Sequence, residues 1–211
     1  MPDTLTLLLI GVLMLIASVV SFVVMGFRQL CRTNSLARKA HEMELHFSHS
    51  DLFDVPRRYR GFALISNGHG ARAYNVTHGH IRSVPVRAFD FRYEVGHAIR
   101  RTTRHYAVTA VQTRLELGKL IMWHVDDAQA APLLSDPESR RIGKWLCTGD
   151  LGLARALIGA GGPLADESVS IEVRNNTIMF CLPIEKRRQD YSESLRSVDS
   201  MLGRIEEHCA Q

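Results

Sequence analysis

The sequence predicts an α+β protein in which an N-terminal transmembrane helix precedes a mainly antiparallel β domain with a short mid-chain helix and a C-terminal helix. Three observations carry this expectation. Residues 5–27 form an uncharged apolar run, long stretches beyond residue 59 alternate apolar with polar side chains, and the closing segment repeats apolar residues at helical spacing.

The apolar run reads LTLLLIGVLMLIASVVSFVVMGF, with Thr6, Ser18 and Ser21 as its clearly polar side chains. About 20 residues rising 1.5 Å each cross a hydrocarbon core of about 30 Å, so the run fits one span. A helix satisfies its own backbone in lipid, and the hydroxyls can bond back to the preceding turn. A cleaved signal peptide fits less well: Met-Pro-Asp-Thr before the run has no Lys or Arg, the run is too long, and no small-x-small site follows it. Asp3 stands before the span, whereas Arg28, Arg32, Arg38 and Lys39 follow it. Positive charge stays inside, so the N-terminus is expected outside and the C-terminal domain in the cytoplasm. There Cys31, Cys147, Cys181 and Cys209 stay reduced, and the sequon Asn75-Val76-Thr77 carries no glycan.

The 211 residues allow one globular unit plus an appendage. Its parts are an anchor at 1–27, a juxtamembrane helical connector at 28–50 and a soluble α+β domain at 51–211. Hydrophobic residues at 45% and charged residues at 23% exclude both a disordered chain and a polytopic membrane protein. A net charge of +4 and a pI near 9.0 fall short of a nucleic-acid binder and make anionic lipid the simpler partner.

In the connector, Leu36, Ala40, Met43 and Phe47 mark one helical face, opposite Arg38, Lys39, Glu42 and Glu44. That face either packs on the domain or lies at the lipid interface. Turn formers at 48–56, closed by Pro56, open the domain. Residues 59–65, 72–76 and 84–95 read as strands, and in the last the apolar side changes parity at Ala88-Phe89, which points to a bulge. A basic turn at 96–104 leads to a return strand at 105–117. Gly118-Lys119 then turns the chain into 120–125, giving a meander of about five strands. After a loop at 126–137 come a strand at 144–148 and a helix from the cap Asp150 to about Ile158, stopped by Gly159-Ala160-Gly161-Gly162-Pro163. Strands at 168–173 and 177–183 flank a turn at Asn175-Asn176, read as type I′. A last helix over 189–208 carries Leu195, Val198, Met201, Leu202 and Ile205 on one stripe. By fold analogy this architecture is similar to pleckstrin-homology-like barrels closed by a C-terminal helix.

The string Phe89-Asp90-Phe91-Arg92-Tyr93, the basic Thr-rich turn at 96–104, and Leu146-Cys147-Thr148-Gly149-Asp150 before a helix resemble uncharacterised bacterial single-pass membrane-anchored proteins with an FDxxY hairpin motif. The resemblance runs from about Phe53 to the C-terminus, with Phe91 and Thr148 departing from the commonest residues. It implies a membrane-anchored domain and no catalytic residues.

Ten histidines stand out. His41-Glu42-Met43-Glu44-Leu45-His46 nearly spells a zinc helix, but a spacing of five puts the imidazoles about 140° apart. His78 and His80 flank Gly79, which reads as a turn. His49, His69, Asp51 and Asp54 complete the His-rich first third. The chain holds no G-x-S-x-G and no C-x-x-C. Cys147 and Cys181 sit in apolar runs as buried thiols. No catalytic, cofactor-binding or metal residue is assigned, and no cofactor is expected. The clusters Arg57-Arg58-Arg60, Arg100-Arg101-Arg104, Arg140-Arg141-Lys144 and Lys186-Arg187-Arg188 fall at turns, either as solvated charge or facing a membrane. The function that fits is a non-enzymatic interaction module at the membrane, binding a protein or anionic lipid and no nucleic acid. The alternative is a metal-dependent or hydrolytic enzyme using the region from His41 to His80.

Overall fold

The computed structural model describes residues 4–81, 83–159 and 169–184 together with Ser192, Leu195, Leu202 and Gly203. Helix α1 (Thr4–Glu42) runs unbroken, so the apolar span and most of the connector are one helix. Its apolar part is exposed, with Leu8, Leu15 and Phe22 all more than half accessible, and is long and apolar enough to cross a membrane. A surface apolar on every side is stable only where something other than water covers it. Further along the same helix, Leu36 and Ala40 are buried in the domain.

The helix stops at Glu42, short of the expected Phe47, for a local reason. Glu44 takes φ 56°, Leu45 N–H donates to the Ala40 carbonyl at 2.9 Å and Glu44 N–H to the His41 carbonyl at 3.0 Å. These are the paired bonds of a Schellman C-cap, and Leu45 and Ala40 supply its apolar contact. The chain then enters strand β1 (His46–Ser50).

Two short helices follow, α2 (Val55–Arg58) and α3 (Ala63–Ser66). Residues 59–65 are therefore a turn and a helix rather than a strand. The apolar residues that alternate there, Phe62, Leu64 and Ile65, are buried under the sheet from a helical turn. The remaining strands are β2 (His69–Ile81), β3 (Val84–Val95), β4 (Thr102–Gln112), β5 (Lys119–His124), β6 (Arg140–Ile142), β7 (Trp145–Gly149), β8 (Ser170–Arg174) and β9 (Thr177–Pro183). Helix α4 (Ala131–Leu134) precedes β6, and α5 (Leu151–Gly159) follows β7. Asp150 caps α5 as expected, its Oδ1 accepting the Leu153 N–H at 3.0 Å.

Among the described residues the nine strands form one antiparallel sheet in the order β1-β2-β3-β4-β9-β8-β5-β7-β6. The expected meander holds from β2 to β4. It then breaks: the hairpin of β8 and β9 inserts beside β4, and β5 pairs with β7 and β8. Of the two hairpin residues only Asn175 takes a positive φ, 55°, so the turn is not the expected type I′, which needs a positive φ at both. Among the described residues no pairing joins β1 to β6, so the sheet is open where the barrel analogy expects closure.

Both faces of the sheet are covered, and this explains the parity change in β3. Val86 and Ala88 pack under α1, whereas Phe89, Phe91 and Tyr93 pack on the opposite face with α2, α3 and α4. The β3–β4 register is continuous from Val86↔Val111 to Val95↔Thr102, so β3 carries no bulge against β4. The bulges lie in β2, where the register shifts between Tyr74 and Thr77 around Asn75 at φ 51°. The C-terminal helix expected over 189–208 lies outside the described residues, except that Ser192, Leu195, Leu202 and Gly203 are helical and Leu195 is buried on the α1 side.

Candidate functional site

The polar node where α1 leaves the domain is the site the architecture builds most deliberately. Arg32 Nε and Nη2 donate to Asp90 Oδ2 and Oδ1 at 2.9 and 2.6 Å, a two-pronged pair across 58 residues of sequence. The Asp90 side chain is fully buried and Arg32 is 19% exposed. A carboxylate out of water requires charged or multiple hydrogen-bond partners. Asn75 supplies another, donating from Nδ2 to Asp90 Oδ2 at 2.9 Å. The β2 bulge presents that amide, and asparagine tolerates the left-handed backbone better than most residues. Its Oδ1 accepts from Thr33 Oγ1 at 3.2 Å and lies 3.2 Å from His49 Nδ1. Burial, then the Asp90 carboxylate, raise the Tyr74 phenol above its ordinary range. Each acceptor oxygen of Asp90 is engaged, so the node is suited to fixing geometry and unsuited to moving protons.

The node fixes the direction in which the apolar stretch of α1 leaves the domain. Thr33 bonds Asn75, and Leu45, beyond the end of α1, packs on Gly79, where an added Cβ would stand 2.6 Å from Leu45 Cδ2. Gly79 is therefore a strand interior opened for close approach, not a turn. Helix α1 and β2 run the same way, and β3 runs back toward the anchor.

The histidines go to separate places. His46 and His78 stack at 5.3 Å on paired strands with Phe53 edge-on to His78 at 4.7 Å. His69 stacks on His97 at 5.5 Å, His49 joins the Asn75 node, and His41 and His80 are exposed. Among the described residues no three His, Cys, Asp or Glu are placed to hold a metal ion. The His78 imidazole titrates below its ordinary value, through burial first and then the neighbouring His46 and Arg87.

A second buried carboxylate lies on the opposite face. Asp127 accepts from Tyr106 Oη at 2.8 Å, Gln129 N–H at 3.0 Å and Ser170 Oγ at 3.3 Å. Ser170 is closed to solvent and its hydroxyl serves the carboxylate directly, while His124 Nδ1 accepts the Asp126 N–H at 3.3 Å. These three residue types are wired as a core network and not as a relay to a nucleophile. Burial raises the Tyr93 phenol to about 12 and the Cys147 thiol to about 11, and pushes the Cys181 thiol well above its ordinary value. Both buried thiols stay protonated and inert, as the sequence predicts. Asn75 and Thr77 are also buried, which closes the sequon in the folded chain.

Far from the anchor, at the β8–β9 hairpin tip, a cleft of about 270 Å³ is lined by Arg58, Tyr59, Phe62, Gln112, Arg174 and Asn176. Arg174 Nη1 closes part of it by donating to the Gly61 carbonyl.

No family model matches the chain, and no curated relative matches it. Among solved structures, it is similar to the crystal structure of the mycobacterial trehalose monomycolate transport factor A, TtfA, with a TM-score of 0.56 and 15% identity over 82% of this chain and 94% of that chain. The likeness is one of fold.

Proposed function

We propose that this protein is a single-pass membrane protein whose cytoplasmic domain is a non-enzymatic interaction module, held in one orientation at the bilayer and meeting a protein or anionic lipid partner. The observation that supports it is the continuity of α1. One helix passes from an exposed apolar stretch into a domain core, and the buried Arg32–Asp90 pair clamps it at the crossing. A loose tether needs neither a rigid helix nor a buried ion pair. A protein similar in fold is a mycobacterial trehalose monomycolate transport factor, and a part in transport suits a domain clamped at a fixed angle to its anchor.

Two treatments of native membranes test the reading. Alkaline carbonate should leave the full-length chain in the membrane, and protease should remove a C-terminal tag on sealed inside-out vesicles. Release by carbonate ends the anchor, and protection of the tag ends the cytoplasmic placement. A flexible Gly-Ser insert between Phe27 and Arg28 should abolish complementation of a deletion strain. Exchange of residues 5–27 for an unrelated apolar span should not. Full complementation by the insert would remove the fixed orientation from the account.

A further inference from the structure

The tip of the β3–β4 hairpin lies on the side from which the anchor leaves the domain. Arg28, where the apolar span ends, is four residues before Arg32, about 6 Å along the helix. Val95, the end of β3, is five residues beyond Asp90, about 16 Å along the strand. Because α1 runs with β2 and β3 runs back, both distances are measured toward the membrane from the same Arg32–Asp90 bond. Even with strand and helix crossing at 45°, about 11 Å of the rise remains, and the tip reaches the level of the bilayer surface.

The chemistry at that level is unusual for a soluble turn. Ile99 is fully exposed, one of three exposed large apolar side chains outside α1 among the described residues. It sits in a single 3₁₀ turn next to Arg100 and Arg101, with Arg101 paired to Glu94. Gly96 at φ 80° shapes the turn, since a Cβ there would collide with the Arg100 carbonyl. On the face that carries α1, between Asp90 and the tip, Arg72 and Arg92 stand directly opposite one another on neighbouring strands, both exposed. Like charges in that position repel, and an anionic surface relieves the repulsion.

We infer that the β3–β4 hairpin tip docks on the anionic surface of the membrane that α1 spans, with Ile99 at the boundary of headgroups and acyl chains and Arg72, Arg92 and Arg100 facing lipid phosphates. An apolar side chain flanked by guanidinium groups matches that boundary, where the alkyl body is buried and the charges reach the headgroups. The inference rests on the membrane-anchor reading above and names the surface that faces the bilayer.

The full-length chain, with Cys31 and Cys209 replaced by Ser, is labelled with a polarity-sensitive fluorophore at Ile99→Cys or, at the opposite end of the sheet, at exposed Gln112→Cys. Each is reconstituted into phosphatidylcholine vesicles with or without phosphatidylglycerol. At position 99 the emission should shift to the blue and iodide quenching should fall several-fold in the anionic vesicles, with position 112 unchanged. Adding Arg100→Glu and Arg92→Glu should restore quenching at 99. Equal quenching at 99 and 112 in anionic vesicles overturns the inference. So does protection at 99 that ignores lipid charge, and so does protection that appears only when another protein is added. Carbonate extraction of the same vesicles separates the two readings: a chain that stays in the membrane with position 99 in water loses the docking alone, and a chain that washes off loses the anchor.

Discussion

The two faces of the sheet are closed in different ways. On one face the long helix α1 lies across β1 and β2, with α5 joining the same core, and the polar ties of α1 to the sheet gather where it departs: one ion pair, one bulge asparagine and one threonine, while Lys39 Nζ bonds Ser192 Oγ nearer its other end. On the other, α2, α3 and α4 are each four residues long, and dispersed hydrogen bonds hold them. Glu172 reaches from β8 to cap α3, its carboxylate accepting the Ala63 N–H at 2.6 and 2.8 Å. Asp127 gathers Tyr106, Ser170 and Gln129. The first face sets the angle at which the apolar stretch of α1 departs, and the second completes the core.

If that division holds, the largest effect should come from the anchor face. Asp90→Ala leaves Arg32 without its buried partner and should cost about 3–5 kcal/mol, the range for breaking a buried pair. Urea unfolding of the full-length chain in detergent micelles, followed by the buried Trp123 and Trp145, measures it. The double change Arg32→Met with Asp90→Leu should cost clearly less than Asp90→Ala, because no charge is left stranded. A double variant as unstable as the single would place the cost in packing and blur the contrast between the faces.

Next in size is the cap on the opposite face. Glu172→Ala exposes the Ala63 amide to an apolar setting and should cost about 1–3 kcal/mol in the same assay. Burial raises the Glu172 carboxyl above 4.5, against the opposing backbone donors and Arg174. The folded chain therefore holds this proton more tightly than the unfolded one. Relative to Glu172→Gln, the wild type should gain stability below pH 4.5 and lose it as pH rises through the raised value. The reverse slope would mean that the hydrogen bonds outweigh burial. Tyr106→Phe removes one donor to Asp127 and should cost about 1–2 kcal/mol, with no change in the orientation of α1.

The smallest expected effect is at His78, whose folded titration lies below 6.5. The unfolded chain takes up this proton first, so stability falls as pH drops from about 6.5 through the lowered value. His78→Gln should flatten that part of the profile. An unchanged profile would mean that the His46–His78 stack contributes nothing to acid sensitivity.

What could be read from the sequence follows from how local each feature is. The apolar span, the Asp150 cap and the Asn175-Asn176 turn depend on neighbours in the chain, and all three are present, the turn in a form other than type I′. The strand readings fall on β2, β3, β4, β5, β7, β8 and β9, but beyond the β2–β3–β4 run and the β8–β9 hairpin they do not show which strands lie side by side. The β8–β9 hairpin separates β4 from β5, a choice made by contacts 49 to 77 residues apart. Two covered faces made β3 look bulged, because apolar residues of both parities face a core. The Arg32–Asp90 clamp left one trace, an aspartate between Phe89 and Phe91 in an apolar stretch of strand. Its partner, Arg32, already had a sufficient explanation as positive-inside charge, so nothing local joined the two.

The measurement closest to the central claim is the distance across the junction. Spin labels at Gly26→Cys, at the end of the span, and Gln112→Cys, on the sheet, in a chain lacking Cys31 and Cys209 and held in lipid nanodiscs, report it by pulsed electron resonance. A clamped helix predicts one narrow distance distribution in the wild type that broadens with Asp90→Ala. A wild-type distribution already as broad as that of the variant would contradict a domain fixed to its anchor.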